Sequence, residues 1–455
     1  MHIIDYKQLD DDIRSLDSYY DNIDVTYLLR NHVISLLKAK QNKGNREISL
    51  NIGIFIRFVK SIIMTFPAIF KRRDVWIFSN AERRKKIGEL YIDRVASIVG
   101  EQMSSTLYIE NPVLADHKSP SKDLVLSDAL FYLLSFLFSK IFFKKSKLRI
   151  NPKLYQFARD NEIKLNEEYI IKRFIGQYRA MNFYLKYFSR PKLIFSVYPN
   201  GYYGYNYAFR EQNIPIIELQ HGIIYPLHPS YNTTLLNQSE KFKPDYVFTY
   251  GRKDKECLER LQYIEQDKIF VVGSYGLEKV KRDRSDLSDY LKERLVSDKV
   301  TVSIVATVND VNELYNFAIE LEEISKKTLQ ILLLPRLRID HLEDTACIKV
   351  LDVKYTSIFE IYKCSNLLLT KSSTAALESL FMEIPTFIYE IKDHSIFHIN
   401  YPYIETLNYT SSAQFFYSQI ENRTYKRPSK EDIDNVYALE PLSNFNAAIE
   451  KINNV

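Results

Sequence analysis

The chain has 455 residues, 46% hydrophobic and 26% charged, with a formal net charge of +5. That composition excludes a disordered chain, and the length leaves room for two to three domains. Cys257, Cys347 and Cys364 stand too far apart for a Cys-x-x-Cys zinc site, and the modest positive charge comes without any nucleic-acid-binding motif, so neither a metal nor a nucleic acid is expected.

The opening, MHIIDYKQLDDDIRSLDSYYDN, is acidic and polar, unlike a signal peptide. Residues 1–73 read as helices with a polar break at KAKQNKGNREIS. Within them, GIFIRFVKSIIMTFPAIFKRR mixes apolar residues with Arg57, Lys60, Lys71, Arg72 and Arg73. A second greasy run, Ala129–Phe143, is too short for a membrane span and is followed by Lys144, Lys145, Lys147 and Arg149. Both runs fit a core helix with solvated basic ends, and both fit a helix lying on an anionic membrane face. A cytoplasmic location, with or without attachment to the inner face of the membrane, follows from this reading.

The first clear strand is DVWIFS (74–79), followed by the loop NAERRKKIGELYID and the next strand STLYIEN. From residue 191 short apolar runs alternate with helices: PKLIFSVY, IPIIELQ, PDYVFTYG and KIFVVGS are strands. Residues 278–299 are charged and poor in large apolar side chains, which marks a linker. A second alternation then runs through KVTVSIVAT, LQILLLP, CIKVLDV, NLLLT and IPTFIYE. Alternation of this kind predicts parallel βαβ units in two α/β domains, 1–280 and 281–455, with extra N-terminal helices. Ligands of open α/β sheets bind outside the carboxyl ends of the strands, so the residues at those ends become the candidates.

In the first half, IPIIELQ ends in Gln220, His221 and Gly222. Gly222 would allow a sharp turn with positive φ, and His221 would act as a general base or stabilise a leaving phosphate. Glu218, on the strand face of Gln220, would orient the pair. The loop after the first strand offers Arg83 and Arg84 for an acceptor, Asp93 as a rival base, and the solvated-loop reading beside both. Glu110, at the end of the next strand, is a third base candidate. In the second half, NLLLT runs into Lys371, Ser372, Ser373 and Thr374 at a helix start, where hydroxyls and free N–H groups suit a phosphate. Glu378 lies four residues on, placed to accept from sugar or ribose hydroxyls. The alternative is that Ser372 or Ser373 merely caps the helix.

Three pieces carry a resemblance to a known family: ELQHGI, PDYVFTYGRKDKECL…KIFVVGS, and IYKCSNLLLTKSSTAALESLFMEIPTFIY. Together, over roughly residues 191–390, they resemble GT-B glycosyltransferases that build bacterial capsule or O-antigen, and are similar to the Kdo-transferase and CDP-glycerol-type polymerase group. The resemblance implies two Rossmann-like domains facing across a cleft. It also implies a phosphate-activated sugar donor in the second half and a glycan acceptor, free or lipid-linked, in the first. No metal and no resident cofactor are implied. Gly273, at the end of KIFVVGS, joins the donor set by this likeness. One departure stands out: where relatives place Lys-x-His-Pro, this chain has Pro335, Arg336 and Arg338, with His341 farther on. Arginine grips phosphate bidentately, so the donor remains phosphate-rich but is held differently. The departure argues against CMP- or CDP-linked donors and leaves open a pentosyl transferase with a phosphoribosyl-type donor. The rivals are a polyol-phosphate transferase, although such enzymes characteristically keep the histidine-proline element, a nucleotide-sugar epimerase, and a non-enzymatic membrane-docked scaffold.

Overall fold

Short runs rich in Val, Ile and Phe form two fully parallel sheets, each the frame of its own α/β unit. The computed structural model describes residues 6–454 except 15, 42–51, 88–89, 114, 119–120, 227, 284, 337–341 and 390–406. Unit 1 comprises Met1–Thr249, Lys255–Val272 and Leu442–Val455; unit 2 comprises Tyr250–Asp254 and Gly273–Pro441. The boundary thus falls before the expected 280/281, and the last helix, Pro441–Asn453, packs with unit 1. Its Phe445 stacks on Phe195 and meets Phe248 edge-on, which closes one face of the first sheet.

The unit 1 sheet contains β1 (Val75–Asn80), β4 (Thr106–Asn111), β5 (Val125–Ser127), β6 (Leu193–Ser196), β7 (Ile216–Leu219), β8 (Tyr246–Thr249) and β9 (Ile269–Val271). The strand order is β9-β8-β7-β6-β1-β4-β5, with every pair parallel. β6 and β7 are buried along their whole length, as expected of strands covered on both faces. The chain runs from β1 outward to β4 and β5, then returns to β6 on the other side. The order therefore reverses between β1 and β6, which is where such sheets take ligands.

The loop expected after β1 is instead a hairpin, β2 (Arg84–Ile87) paired antiparallel with β3 (Leu90–Asp93). It hides Arg84 and Asp93 from solvent. The N-terminal helices add a core of their own, in which α1 (Thr26–Gln41) contributes Tyr27, Leu28 and Val33. Unit 1 also holds helices α2 (Ile52–Thr65), α3 (Ser97–Gln102), α4 (Ala129–Phe142), α5 (Glu167–Tyr187) and α6 (Tyr203–Glu211), together with others such as Tyr6–Arg14, which carries Asp10, and Pro152–Asp160. α4 and α5 cross closely because Gly176 lacks a side chain; a Cβ there would lie 2.1 Å from the Ser135 carbonyl oxygen.

Unit 2 orders its strands β12-β11-β10-β13-β14-β15, all parallel. They are β10 (Val300–Ala306), β11 (Leu329–Pro335), β12 (Ile348–Val350), β13 (Leu367–Thr370), β14 (Thr386–Tyr389) and β15 (Asn408–Thr410). Here the reversal lies between β10 and β13. The expected linker, 278–299, is part of this unit. Leu291 is buried with Leu332, Leu334, Leu351 and Ile361, and Lys363 binds Asp283 at 2.8 Å. Few apolar residues sufficed, because they fall on one face and the charged ones pair along the other.

Candidate functional site

The carboxyl ends of β7, β6, β1 and β4 gather the polar residues of unit 1. β7 passes from Leu219 to Gln220, whose side-chain amide donates to the Gly222 carbonyl at 2.8 Å. Gly222 does not adopt positive φ, and a Cβ added to it would meet nothing within 4 Å. The turn therefore needs a glycine neither for its backbone nor for space.

His221 meets Tyr198, from the end of β6, edge to face at 5.7 Å. Its Nδ1 is buried without a hydrogen-bond partner among the described residues. Burial first, and then the nearby Arg83, His228 and Arg94, push its pKa down to about 3. The imidazole is therefore neutral at physiological pH and sits in a positive field. An anion arriving beside Arg83 and Arg94 would offset the charge contribution to that depression, while the larger contribution from burial would remain.

Glu218 does not orient this histidine. It accepts a hydrogen bond from Tyr231 at 2.7 Å, its second oxygen has no partner among the described residues, and burial raises its pKa to about 7. Asp93 is spent on local structure: Oδ1 accepts from the N–H groups of Val95 and Ala96, both at 2.8 Å, and Oδ2 accepts from Ser79. Fully buried and with both oxygens engaged, it shapes the turn after β3 and is screened from an acceptor hydroxyl.

Arg84 is likewise interior. It pairs with Glu110 and with Asp123, the latter at 2.6 Å, and lies over the Tyr108 ring. The two carboxylates hold its guanidinium even more firmly charged than usual despite its burial. Glu110 also holds His117 through Nδ1 at 2.9 Å, and the opposite nitrogen, Nε2, is buried with no partner among the described residues. Sequence reading passed over His117 and Arg94. Arg94 directly follows the candidate Asp93 and was still missed, whereas only the pairing of a loop with a strand end seven residues earlier brings His117 to its carboxylate.

The loop after His221 is pinned from the N-terminal helices. Arg30, on α1, is fully buried and paired with Asp10 at 2.6 Å; it also donates to the carbonyls of Pro229 and Asn232. Asp10 accepts in turn from the Thr234 N–H. The helices that precede the first sheet strand thus set the loop that carries His228.

In unit 2, Arg336 and Lys371 stand one residue beyond β11 and β13, on either side of β10. Two strand spacings separate them, about 10 Å, which long side chains close easily. Arg336 is exposed, and its N–H donates to the Ala306 carbonyl at the end of β10. Arg338 and His341 lie outside the described residues. Ser372 donates to Asp310 at 2.8 Å and Lys371 is paired with Glu313. Ser373 accepts from the Ala375 N–H at 3.2 Å, while Thr374 occupies the cap position without a side-chain cap bond. The helix they begin, Ala375–Phe381, is only seven residues long. Glu378 is buried and accepts from Tyr362 at 2.9 Å.

Gly273 has φ +94° and admits the Ala438 carbonyl, which would lie 2.3 Å from a Cβ there. The close approach expected of a ligand is made by the chain itself. Among the described residues no group of His, Cys, Asp or Glu side chains is arranged to hold a metal ion.

No family model matches this chain, and no curated protein matches it in sequence. Solved structures do match. A Listeria monocytogenes protein assigned as a UDP-N-acetylglucosamine 2-epimerase aligns with a TM-score of 0.51 at 12% identity, covering 84% of this chain and 97% of that one. The UDP-GlcNAc 2-epimerase of Methanocaldococcus jannaschii aligns with a TM-score of 0.50 at 12% identity, covering 83% and 99%. The wall teichoic acid polymerase TagF aligns at 0.48 and 14%, covering 89% and 98%. At such identities the epimerase likeness is one of fold. The chain has two parallel-sheet, Rossmann-like α/β units of the GT-B class.

Proposed function

We propose that this chain is a glycosyltransferase of surface-polysaccharide assembly, capsule or O-antigen, in the broad group of Kdo transferases and CDP-glycerol-type polymerases. It moves a sugar from a phosphate-activated donor to a growing glycan. The observation that carries the reading is His221: a neutral imidazole with an unpartnered Nδ1, set among arginines at the carboxyl end of a parallel sheet.

In this reading unit 1 handles the acceptor. Gln220, Arg83 and Arg94 position it, and Nδ1 of His221 takes the proton of the attacking hydroxyl. The hydroxyl oxygen bonds to the anomeric carbon, the bond from that carbon to the donor phosphate breaks, and the electron pair leaves on phosphate. Unit 2 holds that phosphate through Arg336, Arg338, Ser372 and Ser373, with Lys371 exchanging Glu313 for the anion. Glu378, which already accepts from Tyr362, would receive a donor hydroxyl. A polyol-phosphate transferase is the second reading. The arginines around His221 favour it, because a polyol-phosphate acceptor is itself anionic.

A thermal-shift panel of CMP, CDP, UDP, GDP and phosphoribosyl pyrophosphate tests the donor half. A ligand at a hundred times its dissociation constant adds about 2.7 kcal/mol of stability. A shift lost in the Ser372→Ala/Ser373→Ala variant supports the reading, and silence across the panel ends it. Consumption of a nucleotide sugar with no acceptor present would replace transfer with epimerisation.

A further inference from the structure

Two helices of unit 1 are built inside out. α2 turns Ser61 and Thr65 inward: the Ser61 hydroxyl bonds that of Ser127 at 2.7 Å, and Thr65 accepts from the Ser127 N–H at 2.8 Å. Its outward face carries Phe55, Ile56, Val59, Ile63 and Met64, with Phe55 64% and Ile63 68% exposed. α4 repeats the inversion. It buries Ser135 and Ser139 against α5 and leaves Leu133, Phe136, Leu137 and Ile141 outside. An ordinary surface helix does the reverse. The two helices are neighbours, joined where Phe58 stacks on Tyr132 at 6.2 Å.

Charge follows the same segments. Residues 52–73 contain Arg57, Lys60, Lys71, Arg72 and Arg73, and residues 129–149 contain Lys140, Lys144, Lys145, Lys147 and Arg149; neither contains Asp or Glu. These ten cations exceed the net charge of the whole chain, +5, so everything else sums to 5 − 10 = −5. Arg57, Lys145 and Lys147 pair with Asp116, Glu168 and Asp21, so the other seven cations carry the charge argument. An apolar face bordered by cations, on a protein otherwise negative, fits one partner in both respects.

We propose that the α2–α4 face docks on an anionic lipid bilayer, its apolar side chains among the acyl chains and its cations at the head groups. Ile52–Phe70 is long and apolar enough to cross a membrane by length and composition. It lies flat in this proposal, because Ser61 and Thr65 tie it to β5 and Arg57 donates to the Val113 carbonyl at 2.8 Å. The proposal does not depend on the transfer reaction, and its test uses no donor.

The test is flotation of the full chain with phosphatidylcholine vesicles, with and without phosphatidylglycerol. The wild type should float with the anionic vesicles, less with the neutral ones, and less again in high salt. Phe55→Ser/Ile63→Ser/Phe136→Ser should lower partitioning about tenfold or more, since each side chain loses its burial in lipid. Lys71→Gln/Arg72→Gln should lower it about tenfold on anionic vesicles alone. All the substituted side chains are exposed apolar or cationic groups, so melting temperatures of the variants should match the wild type. Absence of wild-type binding to anionic vesicles overturns the proposal, as does undiminished binding by the triple variant. So does light scattering that shows a dimer which the triple variant dissolves, because a second copy would then cover the face.

Discussion

The strand ends of unit 1 and those of unit 2 handle charge in opposite ways. In unit 1 burial, and after it Arg83, His228 and Arg94, hold the His221 imidazole neutral and push its pKa down to about 3. In unit 2 the cation and hydroxyl at the end of β13 are already engaged, Lys371 by Glu313 and Ser372 by Asp310. A preset field costs nothing at the moment an anion arrives, whereas a compensated pair has to exchange partners. In the proposed reading, unit 1 would therefore carry the proton transfer and unit 2 would hold the donor phosphate reversibly.

The contrast is broken most severely by His221→Ala, which should reduce turnover about 10²–10⁴-fold, the usual range for a lost general base, with little change in donor affinity. Steady-state kinetics separate the two, and an unchanged kcat would remove His221 from the chemistry. Next is the support of that site. Asp10→Ala leaves the buried Arg30 charge without its carboxylate, with only neutral acceptors such as the Pro229 and Asn232 carbonyls, and should cost about 3–5 kcal/mol, measured by urea unfolding. A loss below about 1 kcal/mol would mean that the loop after His221 is not held from α1.

The pH dependence sharpens the comparison within unit 1. The folded pKa of His221, about 3, lies below its ordinary 6.5. Stability is therefore full above pH 6.5 and is lost as pH falls toward 3, by about 1–2 kcal/mol at pH 5. Glu218 has the opposite sign: its folded pKa of about 7 exceeds the ordinary 4.5, so its contribution is full below 4.5 and fades as pH rises through 7. Melting curves of His221→Asn should be flatter on the acid side, and those of Glu218→Gln flatter between pH 5 and 7. The smallest effect belongs to unit 2. Glu313→Gln frees Lys371 and should tighten phosphate-donor binding about two- to fivefold by calorimetry; weaker binding would show that the pair positions the lysine instead.

Much of the frame was legible along the chain. DVWIFS, IPIIELQ and NLLLT read as buried parallel strands because their composition and length allow little else, and the places where they end follow at once. That put Gln220, His221 and Lys371–Thr374 at strand ends without any tertiary information. The hairpin Arg84–Asp93 was not legible: a run of cations looks like a solvated loop until Glu110 and Asp123 are brought to Arg84 by a strand crossover. Residues 278–299 misled for the same reason, since Leu291 and its partners Leu332 and Ile361 are remote in sequence.

The sequence by itself determined two α/β halves, the order of their strands along the chain, and which polar residues stand at the carboxyl ends. Only the tertiary structure decided what those residues can do. It occupied Asp93 with a turn, turned Glu218 toward Tyr231, matched His117 to Glu110, and placed Arg83 and Arg94 near His221. Secondary structure follows from neighbours a few residues apart, which a sequence displays. Proton affinity and charge balance follow from neighbours in space, which the fold gathers from separations as short as that of Glu110 and His117 and as long as that of Arg83 and His221.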